Sequence, residues 1–206
     1  MPEVHLPDLE DEEKAPASTS HRFRIPKLLL EVLLISAGVF LGLAGEQWRE
    51  SAHRHELVES ALHGFRAELA TNRKAIIDHK DYHLALKNSL DALLAAGLKK
   101  GPEMHGIEPV HFEHSAWDLA VANGSLANLN QQLAYSLSHA YNRQNSYEQL
   151  TQGLVQAMYL RPPNLPENAK PFFASLDIYF DDITDVEPEL LTMYDKLLPQ
   201  IDRELK

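Results

Sequence analysis

The stretch PKLLLEVLLISAGVFLGLAGEQW, residues 26–48, decides the organisation of this chain. It carries no charged side chain between Val32 and Gly45, and residues 28–30 lengthen the apolar run. The run approaches the roughly 20 residues that cross about 30 Å of hydrocarbon. Trp48 follows it, where aromatic side chains favour the membrane–water interface. The stretch therefore predicts one transmembrane helix over residues 26–48.

Two other interpretations of this apolar run stay open. It could be the apolar part of a signal peptide, since small residues precede Gly45, but the acidic run at residues 10–13 is atypical of such leaders. It could also be a buried helix of a soluble core. Lys27 on one side and the Trp48-Arg49 pair on the other bracket the run as interface anchors would. We therefore expect an uncleaved membrane anchor.

The orientation of the anchor depends on the Lys and Arg residues near its ends. Four precede it and three follow it: Lys14, Arg22, Arg24 and Lys27 against Arg49, Arg54 and Arg66. This slight excess predicts a cytoplasmic N-terminus and a C-terminal domain outside the cytoplasm. In a bacterium the protein would lie in the inner membrane with a periplasmic domain. The reversed topology stays open.

Composition narrows the function classes. The chain has no cysteine, so it offers no thiol nucleophile, thiolate zinc site or iron–sulfur site. Its formal net charge of −11 argues against a nucleic-acid partner, because such proteins usually present a basic face to the phosphates. No P-loop, dinucleotide fingerprint or GxSxG motif occurs. We expect no cofactor and no enzymatic activity.

The regions flanking the apolar run differ sharply in pattern. Residues 1–25 are rich in proline, serine and acidic residues and predict a disordered acidic tail. Residues 49–97 contain no proline and predict a long amphipathic helix that continues the membrane helix. Its heptad-like stripe is Leu62, Phe65, Leu69, Asn72, Ile76, His79, His83, Leu86, Leu90 and Leu93. So narrow a stripe must bury itself against partner helices.

The remaining residues predict a helical domain that packs on this long helix. Residues 98–115 predict a loop, with Ser115 as the cap of a short helix that Asn123-Gly124 ends. Residues 126–160 predict one helix or two.

The prolines of the last forty-five residues predict interruptions. Residues 161–171 contain four of them and predict a turn. Pro188 predicts the start of a last helix, which Pro199 would kink. Strand patterns are nearly absent, so the fold class is all-α, with residues 116–206 completing a bundle.

The membrane helix itself carries two features that concern association. Gly38, Gly42 and Gly45 lie near one helix face, and small residues at such spacing let two helices approach closely. Glu31 lies near the same face. A carboxylate inside a span is a functional-site hypothesis by default, although pairing with Lys27 at the interface explains it equally well. We expect packing against a second copy or another membrane subunit.

The histidines suggest a metal site as an alternative. His79 and His83 are four residues apart, so both imidazoles could reach one ion from a helix face. The glutamate of an HExxH motif is missing, because Lys80 follows His79. Polar residues in a helical seam often specify register or partner instead, and a histidine-driven pH response is a further possibility.

Two blocks of this sequence resemble a bacterial family of membrane-anchored domains of unknown function. The first block is LLLEVLLISAGVFLGLAGEQWRE, residues 28–50, through Glu31, Gly38 and Trp48. The second is SAWDLAVANGSL, residues 115–126, with the leucine-rich stretch that follows; its matching residues are Trp117, Gly124 and Leu129. The polar pair that usually flanks the first tryptophan is replaced here by Gln47 and Arg49. The resemblance implies an architecture and supplies no catalytic residues.

Three functional hypotheses follow. The first is a noncatalytic single-pass membrane protein whose helical domain binds itself or another protein, as an accessory or scaffold subunit. The second is a ligand- or metal-sensing helical bundle that signals through a partner. A hydrolase with an unrecognised metal site ranks last.

Overall fold

The computed structural model of this chain describes residues 26–97, 106–162 and 165–206. The predicted tail, residues 1–25, and residues 98–105 of the predicted loop lie outside this range. The described elements are α1 (Lys27–Ala95), α2 (Ser115–Ala122), a 3₁₀ turn (Ser125–Asn128), α3 (Gln131–Leu160) and α4 (Pro166–Glu204). No strand occurs in the described residues. The all-α prediction is confirmed.

The described residues divide into two units, one that ends at Gln47 and one that begins at Trp48, and α1 contributes to both. In the first unit, the described part is the apolar run. Its large hydrophobic side chains are exposed, and none of those in its most apolar window is buried. Its length and composition are those of a candidate membrane span. The second unit contains the buried core.

The amphipathic part of α1 supplies one wall of that core. Nine of the ten residues in the predicted stripe are buried; His79 is only half-buried, and Glu68 is buried in addition. Each fully buried Leu, Ile or Phe side chain contributes about 1.5–3 kcal/mol relative to exposure. The 3.5-residue period of the sequence was therefore a reliable guide to which face of α1 packs.

The ends of α1 and α2 follow local rules with one exception. Gly97, with φ of 72°, follows the last turn of α1 in the left-handed conformation that glycine adopts easily. Asn123 and Gly124 end α2 as predicted. The predicted cap of α2 is wrong, however, because Ser115 is already helical and His114 precedes it without a side-chain cap. Glu68 of α1 supplies the acceptor instead, as described below.

The helix α3 is continuous, so a break near residues 142–146 does not occur. Its first turn is capped by Asn130, whose side chain accepts hydrogen bonds from the N–H groups of Gln132 and Leu133. Gln144 lies in the polar stretch that suggested the break, yet it is buried and its Nε2 donates to the Tyr194 hydroxyl at 2.6 Å. The helix thus accommodates this polar side chain in the core by a hydrogen bond to α4.

The helix α4 corrects the interruptions predicted from proline. It runs unbroken through Pro171, Pro188 and Pro199, and a separate helix does not start at Pro188. All three prolines are exposed. A proline removes one backbone hydrogen bond and crowds the preceding turn, and a bend away from the proline relieves that crowding when the ring faces solvent. The buried face of α4 outweighs the local cost.

Charged pairs on the surface align α1 and α4 in antiparallel register. They join Arg66 to Asp202 at 2.6 Å, Arg73 to Asp195 at 2.7 Å and Lys87 to Asp181 at 2.7 Å. The paired positions are separated by multiples of seven residues on both helices, and their numbers rise along α1 as they fall along α4. Seven residues is the repeat of a coiled-coil seam. The remaining place on this ladder would pair Lys80 with Pro188, and Lys80 bonds to Asp81 instead.

We expect the core and not the ladder to determine stability. Leu69→Ala should lower the free energy of unfolding by about 2–5 kcal/mol because it leaves a cavity. Arg73→Ala, one turn away, should lower it by only about 0.2–1 kcal/mol because its ion pair is solvated. Urea unfolding of the detergent-solubilised chain, followed by circular dichroism, measures both. Equal losses would contradict this assignment.

Candidate functional site

The glycine face of the candidate span is open in the described chain. A Cβ atom added to Gly38, Gly42 or Gly45 would have no neighbouring atom within 4 Å. Space for a close partner helix is therefore present at all three positions. Glu31 and Lys27, near the start of this segment, are both exposed.

The predicted interface anchors are also on the surface. Trp48 is 81% exposed, and Arg49 is exposed beside it. An exposed tryptophan directly after an apolar helical run is typical of the membrane–water interface, where its ring has both apolar and polar surroundings.

A buried group of polar residues, here called the polar junction, lies in the second unit. It consists of His83 on α1, Tyr147 on α3, Glu187 on α4 and the backbone of Glu108. The His83 and Glu187 side chains are 0% and 1% exposed. His83 Nδ1 lies 2.6 Å from Glu187 Oε1, and its Nε2 lies 2.9 Å from the Glu108 carbonyl oxygen. The Tyr147 hydroxyl donates to the same carboxylate oxygen at 3.2 Å.

The surroundings of His83 define its charge. Both ring nitrogens face oxygens that can only accept, a carboxylate and a carbonyl, so both nitrogens carry hydrogen and the ring is an imidazolium. Burial lowers the pKa of His83, but the hydrogen bond and negative charge of Glu187 outweigh it and raise the pKa above its ordinary value of 6.5. The junction is a buried ion pair.

The metal hypothesis for His79 and His83 does not fit this arrangement. His83 uses both nitrogens in hydrogen bonds within the protein, and His79 Nδ1 lies 2.8 Å from the Ala75 carbonyl oxygen. Across the described residues, no group of three or more potential His, Asp or Glu ligands is placed to hold an ion. His83 therefore offers no free imidazole nitrogen to an ion in this arrangement.

A second buried carboxylate, Glu68, holds α2 in place. Its Oε2 accepts from the N–H of Ala116 at 2.7 Å, and its Oε1 accepts from the Tyr141 hydroxyl at 2.6 Å. The first contact satisfies a donor at the start of α2, where the helix dipole also favours a negative charge. Burial and then the bond to Glu68 raise the pKa of Tyr141 far above its ordinary value of 10.0, so the phenol stays a donor.

The segment before α2, residues 106–114, is here called the junction segment. The side-chain amide of Asn72 on α1 binds the C-terminal part of this segment through two hydrogen bonds. Nδ2 donates to the Glu113 carbonyl oxygen at 2.9 Å, and Oδ1 accepts from the Glu113 N–H at 2.8 Å. The near end is bound by Tyr82, whose hydroxyl donates to the Gly106 carbonyl oxygen at 2.6 Å. Polar side chains of α1 therefore supply backbone partners along a segment that has no secondary structure.

An aromatic cleft opens beside α2, with a volume of about 320 Å³. Trp117 stacks on Tyr141 with ring centroids 4.8 Å apart. His114 also lines the cleft, and its Nε2 atom lies 3.1 Å from Oε1 of Glu148, another lining residue. The full lining is His114, Trp117, Asp118, Tyr141, Asn142, Asn145 and Glu148.

Comparison with protein-family models, with curated protein sequences and with solved structures finds no match to this chain. The resemblance stated above for residues 28–50 and 115–126 therefore stays a prediction. The second block does occupy a defined place in the structure: Trp117 lines the aromatic cleft and Gly124, with φ of 73°, follows α2.

Sequence reasoning found part of the buried polar chemistry and missed the rest. The stripe included Asn72 and His83, but it gave no partner for either. Glu68 and Glu187 were missed, because each looks like an ordinary solvated charge on a helix until the opposing donor is known. Glu187 directly precedes Pro188, and that proline drew attention to a helix start instead.

We expect Glu68 to determine whether α2 stays folded on the bundle. Glu68→Ala should increase amide hydrogen exchange of α2 and destabilise the protein by about 1–3 kcal/mol for each buried donor left without an acceptor. Tyr141→Phe removes only the phenolic hydroxyl group and should leave the amides of α2 protected from exchange. Glu59→Ala, an exposed carboxylate on α1, is the control. Equal protection of α2 in the Glu68→Ala variant and the control would contradict this role.

Proposed function

We propose that this chain is a noncatalytic, single-pass membrane protein that acts as an accessory or scaffold subunit. In this proposal, the apolar run anchors it and the helical unit binds another protein or a second copy. The supporting observation is that the apolar part of α1 exposes its large hydrophobic side chains, whereas the rest of the chain builds its own core. An apolar surface of this length is stable only when lipid or another helix covers it.

The glycine face supports association within the membrane. Lipid tails are as apolar as leucine, so helix association there depends on close backbone packing, which Gly38 and Gly42 permit. In this proposal the protein resides in a bacterial inner membrane with its helical unit in the periplasm.

Enlarging the glycine face should dissociate the complex. We expect Gly38→Leu and Gly42→Leu to reduce the oligomer, or the complex with a second subunit, because each side chain separates the two backbones. Native mass spectrometry of the protein extracted gently from its membranes measures this. Ser36→Leu is the matched control, since position 36 lies on the opposite face of the helix. An unchanged assembly state in the glycine variants would count against the proposed interface.

The absence of native cysteine gives a clean test of topology. We expect a cysteine at exposed Gln152 to react with a membrane-impermeant maleimide in intact spheroplasts. A cysteine at Ser18 should react only after permeabilisation. The reverse labelling pattern would place the helical unit in the cytoplasm.

A second candidate function is ligand sensing, which the aromatic cleft favours. A volume of about 320 Å³ lies at the lower end of the range of small-molecule sites, and five polar side chains line the cleft beside Trp117 and Tyr141. A small molecule retained at fixed stoichiometry in native mass spectra would support this function. Trp117 fluorescence in a Trp48→Phe background would report whether that molecule occupies the cleft, since the chain has only these two tryptophans.

A further inference from the structure

The junction segment contains a strained residue at its contact with His83. Glu108 has φ of 41°, in the left-handed region that residues with a side chain rarely adopt. It also precedes Pro109, whose ring further restricts the residue before it. The Glu108 side chain is exposed, so packing of this side chain in the core does not maintain the conformation. The strain persists because surrounding contacts hold the backbone.

One of those contacts comes from a charged group. The Glu108 carbonyl oxygen accepts from His83 Nε2 at 2.9 Å, and a hydrogen bond from an imidazolium is stronger than one from a neutral ring. Two residues later, the Val110 N–H donates to the Tyr147 hydroxyl at 3.3 Å. The Tyr147 hydroxyl in turn donates to Glu187. The same carboxylate thus orients the groups that hold both ends of the strained dipeptide.

We propose that His83 is a proton-operated latch: its protonated ring holds residues 107–110 of the junction segment, and loss of one proton releases them. A neutral imidazole keeps a single N–H. Because the Glu187 carboxylate is a stronger acceptor than a carbonyl, the remaining hydrogen stays on Nδ1. The bare Nε2 then faces the Glu108 carbonyl oxygen, lone pair against lone pair, and the strained backbone relaxes away from α1.

The groups around His83 set the direction of the response. Glu187 faces it from α4 and Tyr147 lies beside that carboxylate on α3, while the rings of His79 and Tyr82 lie 6.0 Å from it on α1. Because the pKa of His83 is raised, its stabilising contribution is complete below its ordinary value of 6.5 and is lost as pH rises through the folded-state pKa. Release therefore occurs on alkalinisation.

Asp177 on α4 is a second titratable group with a raised pKa, caused by burial and then by the nearby Asp91 of α1. Lys87 binds Asp91 and Asp181 in the same region. The latch rests on the polar junction alone and does not depend on the proposed scaffold function.

Amide hydrogen exchange of the full chain in detergent or nanodiscs tests the latch. Val110 is the reporter, after correction for the intrinsic pH dependence of exchange. We expect its protection to fall as pH rises, by about tenfold for each unit by which the pKa of His83 exceeds 6.5. His83→Gln should give low protection that no longer depends on pH. A wild-type profile that stays flat between about pH 6 and pH 9 would overturn the proposal.

Three further measurements keep the test independent of folding defects. His79→Gln, one turn away, should follow the wild-type profile. Glu108→Gly removes the strain without removing the carbonyl, so it should retain protection to higher pH. If His83→Gln fails to fold, ¹⁵N spectra of wild-type His83 should show two N–H groups at low pH and one at high pH. Loss of that proton without any change at Val110 would equally overturn the latch.

Discussion

A buried charge pair, His83 with Glu187, is the constraint on which the helical unit depends. Isolated, either charge would be costly in this interior, and the pair is tolerated because both imidazole nitrogens and the Glu187 Oε1 atom make hydrogen bonds. Meeting them requires α1, α3, α4 and the junction segment to arrive at one point together. The pair therefore links elements that the apolar core alone would hold without a defined relative position.

Around this pair, the fold uses side chains to replace missing backbone partners. Asn72 supplies both a donor and an acceptor to one peptide unit of the junction segment, and Glu68 supplies the acceptor at the start of α2. Both residues lie on α1. A long helix with a few buried polar groups can thus organise a neighbouring irregular segment, because its own backbone is already satisfied and its side chains are free to serve others.

The sequence predicted the features that follow from a periodic pattern, but it did not predict the features that depend on a partner distant in sequence. The face of α1 was visible in Leu62, Phe65 and their successors, since burial of an amphipathic helix follows directly from the repeat. The continuity of α4 was not predicted. The free-energy cost of Pro188 is evident from a single position in the sequence, whereas the burial that offsets this cost is distributed along the whole helix. The role of Glu187 was hidden for a related reason: a buried charge is recognised by its partner, and His83 lies 104 residues away.

The ion-pair ladder between α1 and α4 leaves an ambiguity that the buried pair resolves. If α4 slid by seven residues, Arg66 would meet Asp195 and Lys80 would meet Asp181, while Asp202 would face Glu59. Two ion pairs would replace three, so the solvated surface charges alone would oppose the alternative alignment only weakly. The same slide would place His83 opposite Phe180 and Glu187 opposite Ile76, each charge stranded against hydrocarbon. The buried polar atoms of His83 and Glu187 thereby disfavour an alignment that the surface ion pairs alone would hardly distinguish from the observed one.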